Sequence, residues 1–262
     1  MTAANMLEFY KTDEIRINHK LSNEVLTHIV PEPYYGPFHD MKEEDVLVLL
    51  LNPGTGDENI YLDDWNDQIR SRYQSFWSRK EYFAFDEDLK SRSNWREVCK
   101  NQTAQIINHD GFVFDFLHTM EFFPFRSKKD TLTAAFKNAW VNHYPEGEIQ
   151  FQALRDIAIN KMVKYILAPS FAWQLFFEKH GIQPEKEMIL RKSTSKSTRG
   201  YSFNLALYRF PEGGTPVLFC RTAQPGMGLP TNQSALRVMR IWLGIEEGDI
   251  PSQDEHYFYI KK

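Results

Sequence analysis

The most decisive pattern along the chain is an unbroken apolar run, Val46 to Leu51, framed by Asp45 on one side and the turn residues Asn52, Pro53 and Gly54 on the other. A strand with one wet face alternates apolar and polar residues. A continuous run closed by turn residues instead implies a strand buried on both faces, as in a parallel sheet. Phe116 to Phe123, ended by Pro124, reads as a second strand, and Lys164 to Ala168 as a third. That third strand turns at Pro169-Ser170 into a helix from Phe171 that stops at Gly181. Residues 187–210 have the pattern of a hairpin with a basic, Ser/Thr-rich tip, and Pro216 to Cys220 reads as a further strand. Helical spacing covers most of 57–108, with Ser93 or Asn94 as N-cap, and also 130–141, 148–162 and 234–243. Residues 1–44 form an irregular lead-in with room for one helix. The tail, 245–262, ends in Tyr257 to Lys262, an added edge strand or a docked arm.

Strands that alternate with helices imply crossover connections and a sheet covered on both sides. The expected fold is α/β, a three-layer α/β/α sandwich around a short, mainly parallel central sheet. One domain over 1–262 is expected, its core at about 45–244, with no internal repeat and no long linker.

Composition changes this picture little. Of 262 residues, 42% are hydrophobic and 25% charged, which argues against wholesale disorder. The net charge of −4 gives no global attraction to nucleic acid, so any such role needs a local basic face. Cys99 and Cys220 match no metal spacing and suit a reducing compartment. No stretch approaches transmembrane length and the first residues lack a signal-peptide pattern, so a cytoplasmic protein without a membrane partner is expected.

Ligands of such folds sit beyond the carboxyl ends of the strands. Here those ends are Asn52-Pro53-Gly54, Glu121 to Arg126, Pro169-Ser170-Phe171 and Thr222 to Gly226, each polar or rich in Pro and Gly. In order and spacing they resemble the motifs of the uracil-DNA glycosylase superfamily, over roughly residues 45–244. In that family an apolar strand ends in Asn-Pro-Gly or Asp-Pro and positions the catalytic water, as Leu49 to Gly54 would. A second strand ends in Asn followed by apolar residues and Pro-Phe-Arg, to which Glu121 to Arg126 is similar with Glu in place of Asn. A third enters a helix through small residues, as Ile166 to Trp173 would. The final His-Pro-Ser motif is matched loosely by Gln224-Pro225-Gly226.

The resemblance implies a fold of that kind and an enzyme that hydrolyses the N-glycosidic bond of a base turned out of DNA. Asn52 would orient water by hydrogen bonding, and Gln224 would donate an amide N–H to the departing base. Asp57 or Glu58 could add a carboxylate, or be surface loop acids. Tyr61 and Trp65 stand where the family places its stacking aromatic, though either could equally begin a helix and pack into the core. Glu121 replaces the base-reading Asn. As a carboxylate it would favour an exocyclic amine, such as cytosine N4, over uracil O4; as a buried acid it could donate instead, and pairing with Arg126 or Lys128 is the plain structural alternative. The expected substrate is therefore a base other than simple uracil, a modified cytosine being one candidate.

Arg191, Lys192, Lys196 and Arg199 at the hairpin tip would suit backbone phosphates or simply be solvated. Met227 and Leu229 stand where the family carries its intercalating loop, unless they only lead into the last helix. His109, His118 and His143 make no metal-like pair, and no phosphate loop, serine-hydrolase elbow or iron–sulfur cysteine cluster is present in the sequence. Neither metal nor cofactor is expected, and the oligomeric state is not legible. The alternative function is a protein of the same fold that binds nucleic acid, a nucleotide or a protein partner without catalysis, motivated by the missing His and the negative net charge.

Overall fold

A computed structural model of the chain describes residues 25, 34–36, 41–51, 95–112, 116–127, 132–192, 202–222 and 228–262. Its strands are β1 (Tyr34–Tyr35), β2 (Val46–Leu50), β3 (Leu117–Glu121), β4 (Tyr165–Ala168), β5 (Pro184–Lys192), β6 (Ser202–Phe210), β7 (Gly213–Thr222) and β8 (Tyr257–Lys261). The helices are α1 (Trp95–Ile107), α2 (Ala134–His143), α3 (Pro145–Ile159), α4 (Gln174–Lys179), entered through a 3₁₀ turn at Phe171–Trp173, and α5 (Gln233–Trp242). Among the described residues no helix is long and apolar enough to cross a membrane.

The eight strands form one sheet in the order β1-β3-β2-β4-β7-β6-β5-β8. The pairs β3–β2, β2–β4 and β4–β7 are parallel. The pairs β1–β3, β7–β6, β6–β5 and β5–β8 are antiparallel. The expectation of α/β architecture therefore holds, but the sheet is longer than expected and mixed rather than mainly parallel. The reason is local: β6 turns directly into β7 between Phe210 and Gly213, and so short a link can only return antiparallel. That turn needs glycine. Gly213 and Gly214 have φ of 90° and 94°, and a Cβ on Gly214 would meet Ala158 O at 2.1 Å.

Side chains alternate across the parallel strands between two buried clusters. Leu47, Leu49, Ile166, Val217 and Phe219 join Phe136 and Trp140 of α2, Phe151 and Leu154 of α3, and Phe176 of α4. Val46, Val48, Leu50, Leu167, Leu218 and Cys220 join Cys99 and Ile106 of α1 and Leu236 and Met239 of α5. With both sides apolar, β2 reads as an uninterrupted hydrophobic run, which is the pattern that marked it in the sequence.

A polar exception lies near the amino ends of β2 and β3. His118 Nε2 lies 2.7 Å from Asp45 Oδ2, its Nδ1 lies 2.5 Å from the Tyr34 hydroxyl, and His118 and Asp45 are fully buried. With the proton on Nε2, His118 donates to the carboxylate and accepts from the tyrosine. Asp45 also accepts from the Lys42 backbone N–H at 2.8 Å. Gly36 packs so closely on the imidazole that a Cβ would stand 2.4 Å from Nδ1. The network fastens β1 to the sheet.

Candidate functional site at the strand exits

Past its carboxyl end β4 enters α4 on one face of the sheet, whereas α1, the first described helix after β2, covers the other face. In α/β sheets ligands sit at the carboxyl edge of the parallel strands. Register brings four exits to that edge. Leu50 lies opposite Glu121, Val48 opposite Leu167, and Ala168 opposite Phe219. The β2–β3 ladder continues past the strands, with Phe122 N donating to Leu50 O and Phe123 N to Leu51 O, both at 2.9 Å.

Helical side chains secure the backbone where the ladder gives out. Trp173 Nε1 donates to Leu50 O at 2.8 Å, Trp140 Nε1 to Phe122 O at 2.8 Å, and Gln150 Nε2 to Glu121 O at 2.6 Å. These three bonds, one of them a second bond to Leu50 O, tie the exits of β2 and β3 to the helices.

Glu121 ends β3 and is 8% exposed. Parallel neighbours in register point the same way, so its side chain shares with Leu50 the face covered by α1 and α5. Asn52 follows Leu51 directly but lies outside the described residues, as do Asp57, Glu58, Tyr61, Trp65, Gln224, Met227, Lys196 and Arg199. Leu229 is described: its side chain is 3% exposed within the α1/α5 cluster, and its N–H donates to Gln102 Oε1 at 2.9 Å.

Arg191 and Lys192 end β5 and are both exposed. Two antiparallel steps, β7 to β6 to β5, restore the parallel direction, so β5 ends at the same edge of the sheet as β2, β3, β4 and β7. Four strand spacings separate β5 from β2, about 19 Å.

Two features went unread in the sequence. One is the Tyr34–His118–Asp45 network, which stands at the opposite end of the strands from these exits. The other is a pair of cations. Arg221, exposed near the end of β7, carries its guanidinium 5.9 Å from the ring centroid of Phe171, which itself packs on Phe219. Burial first, and then the charge of Arg221, hold the Lys137 ammonium below its ordinary pKa. Arg221 was detectable as the first polar residue after the apolar run Val217 to Cys220. Cys220 itself is a free thiol whose pKa burial pushes up, which suits a packing role.

Comparison with protein-family models, with curated proteins and with solved structures finds no match for this chain.

Proposed function

We propose that the protein hydrolyses the N-glycosidic bond of a base turned out of a nucleic-acid strand, on a three-layer fold of the uracil-DNA glycosylase kind. The observation that carries the reading is the register of β2 and β3. Glu121 stands opposite Leu50, two residues before Asn52, so the water-positioning and base-reading motifs leave adjacent strands at one edge. Cleavage leaves positive charge on the sugar and negative charge on the base, and it needs a held water, a donor to the base and a pocket. Asn52 would hold the water, Gln224 would donate to the leaving base, and Tyr61 or Trp65 would stack on it. Glu121, largely shielded from solvent, would read an exocyclic amine and so favour a cytosine-type base over uracil.

The test is a panel of single- and double-stranded oligonucleotides carrying cytosine, uracil and modified cytosines, scored for abasic sites. Base release is expected from a cytosine-type substrate, with loss on Asn52→Ala and a changed order of preference on Glu121→Gln. A panel without any abasic product would overturn the enzymatic reading, and retained binding to the same strands would then favour a non-catalytic nucleic-acid binder.

A further inference from the structure

On the side of α2–α4, helix cover reaches β6, where Phe177 packs on Tyr208 and Phe210. It stops short of β8, where Phe258 and Ile260 are 44% and 38% exposed. Among the described residues Val98, on α1, is the one other large apolar side chain so exposed, so two of the three share this face. Register sets what surrounds them. Phe258 lies opposite Arg191 on β5, which lies opposite Ser202 on β6. The next row on the same face runs Ile260, Ile189, Asn204 and Arg221, from β8 to β7. These two rows hold Arg191 and Arg221 and no acid; Glu187 comes one row further, where its C=O accepts from the Lys262 N–H at 3.3 Å. Among the described residues neither arginine forms an ion pair, and the Phe258 ring has no aromatic or cationic partner. Arg221 is held over the Phe171 ring instead.

An exposed ring beside unpaired guanidinium groups, on a chain of net charge −4, suits a ligand that repeats planar faces along a line of negative charge. We propose that this face binds a single strand of nucleic acid, laid across the sheet from β8 to β7. One base stacks on Phe258, and Arg191 and Arg221 each take a phosphate, to which a guanidinium offers a fork of N–H donors. Ile189 and Ile260 carry the apolar part of the nucleotide between them. Asn204 and Gln174, which line a groove of about 210 Å³ with Phe171 as a further wall, offer amides to base edges. Three strand spacings separate β8 from β7, about 14 Å, and the path ends at Arg221, near the carboxyl edge of the parallel strands. A duplex keeps its base faces stacked inside and cannot use the Phe258 ring. The surface needs no cleavage chemistry, and it shares with the proposed function only the class of ligand.

Fluorescence anisotropy with the full chain tests the proposal, using a labelled single-stranded dodecanucleotide and the duplex it forms with its complement. The single strand should bind more tightly than the duplex. Phe258→Ala, at a position 44% exposed, should raise the dissociation constant about tenfold and leave its salt dependence unchanged, and Phe258→Trp should restore binding. Arg191→Gln and Arg221→Gln should each weaken binding and flatten its log–log salt dependence by about 0.7, one phosphate contact apiece. No binding of the single strand, equal affinity for the duplex, or a Phe258→Ala variant that binds like the parent overturns the proposal. So does sedimentation in which the chain alone self-associates and Phe258→Ala abolishes it, since a second copy then occupies the face. Binding that depends on Phe258 without abasic product keeps the surface and overturns the hydrolase. Abasic product with binding indifferent to Phe258 does the reverse.

Discussion

Strands β3, β2, β4 and β7 and strands β6, β5 and β8 belong to one sheet, yet they meet solvent differently. In the first group helices cover both faces, and β2 and β3 are buried at every position. In the second group α5 covers one face, taking in Leu190, Leu205 and Tyr259. On the other, Ala206, Tyr208 and Phe210 of β6 are buried beside Phe177 of α4, while Ile189 and Asn204 are half-buried and Phe258 and Ile260 are exposed. The parallel half is thus a scaffold, and the antiparallel half lends it an open surface that reaches the exits through Arg221. The outer edge of β8 is shielded by its own chain, with Tyr259 N donating to Ser252 O and Asp254 N to Tyr257 O, both at 2.9 Å, and it ends in Lys261 and Lys262. Those are devices that discourage edge-to-edge pairing.

If stability resides in the parallel half, the largest loss should follow from breaking its buried polar network. Asp45→Ala leaves His118 without its acceptor in a fully buried place. A buried donor left without its acceptor costs about 1–3 kcal/mol, and the Lys42 N–H loses its acceptor as well, so urea denaturation should show a loss of about 3 kcal/mol. A loss below about 1 kcal/mol would mean that the network is incidental and that β1 is held by other contacts.

The antiparallel half has its own polar anchor at Asp254, and it should matter less. Burial acts to raise the pKa of this carboxyl, but the Ser234 and Tyr259 hydroxyls and the His256 and Tyr257 amides outweigh it and hold the value at about 2. The folded chain therefore binds this proton less readily than the unfolded chain, whose value lies near 3.9. The stabilisation is complete above that value and is lost as pH falls through about 2. Asp254→Asn should cost on the order of 1 kcal/mol at pH 7, since a partly exposed carboxylate is screened by water. Thermal melts of the two proteins should converge between about pH 4 and pH 2. A gap that stays constant across that range would assign the effect to geometry rather than charge.

The same contrast explains what could be read in advance. The run Val46 to Leu51 announced a doubly buried strand because sheet burial removes alternation, and the turn residues after it marked the exit. The hairpin and β7 were visible for the same reason, and the tail proved to be the added edge strand β8. The two-residue β1 carries no periodicity, and Tyr34, Asp45 and His118 meet only through tertiary structure. Lys137 and Arg221 escaped because a lone basic residue on a helix and another at a strand end look like ordinary surface. For Leu229 the sequence left open an intercalating loop or a plain lead into the last helix, because a Met-Gly-Leu-Pro stretch does not show which way its apolar side chains turn. Glu121 stood out in the sequence as a polar strand end, and the structure sets it opposite Leu50 at the end of β3.

The smallest expected effect sharpens the comparison most, because it asks whether the open face is truly open. Ile260 lies opposite Ile189 and is 38% exposed, whereas Leu190, the next residue along β5, is fully buried opposite Tyr259. Ile260→Thr keeps a β-branched side chain, so the strand propensity changes little, and only the burial of its methyl groups is in question. On a solvent-exposed face the substitution should leave stability within about 0.5 kcal/mol. Leu190→Ala, one residue away in β5 but on the covered face, should cost about 2–5 kcal/mol. If Ile260→Thr instead costs more than about 1.5 kcal/mol, and the loss grows with protein concentration, the face is covered in solution by a second copy of the chain. The antiparallel half would then be an interface, and Arg221 would stand at its rim.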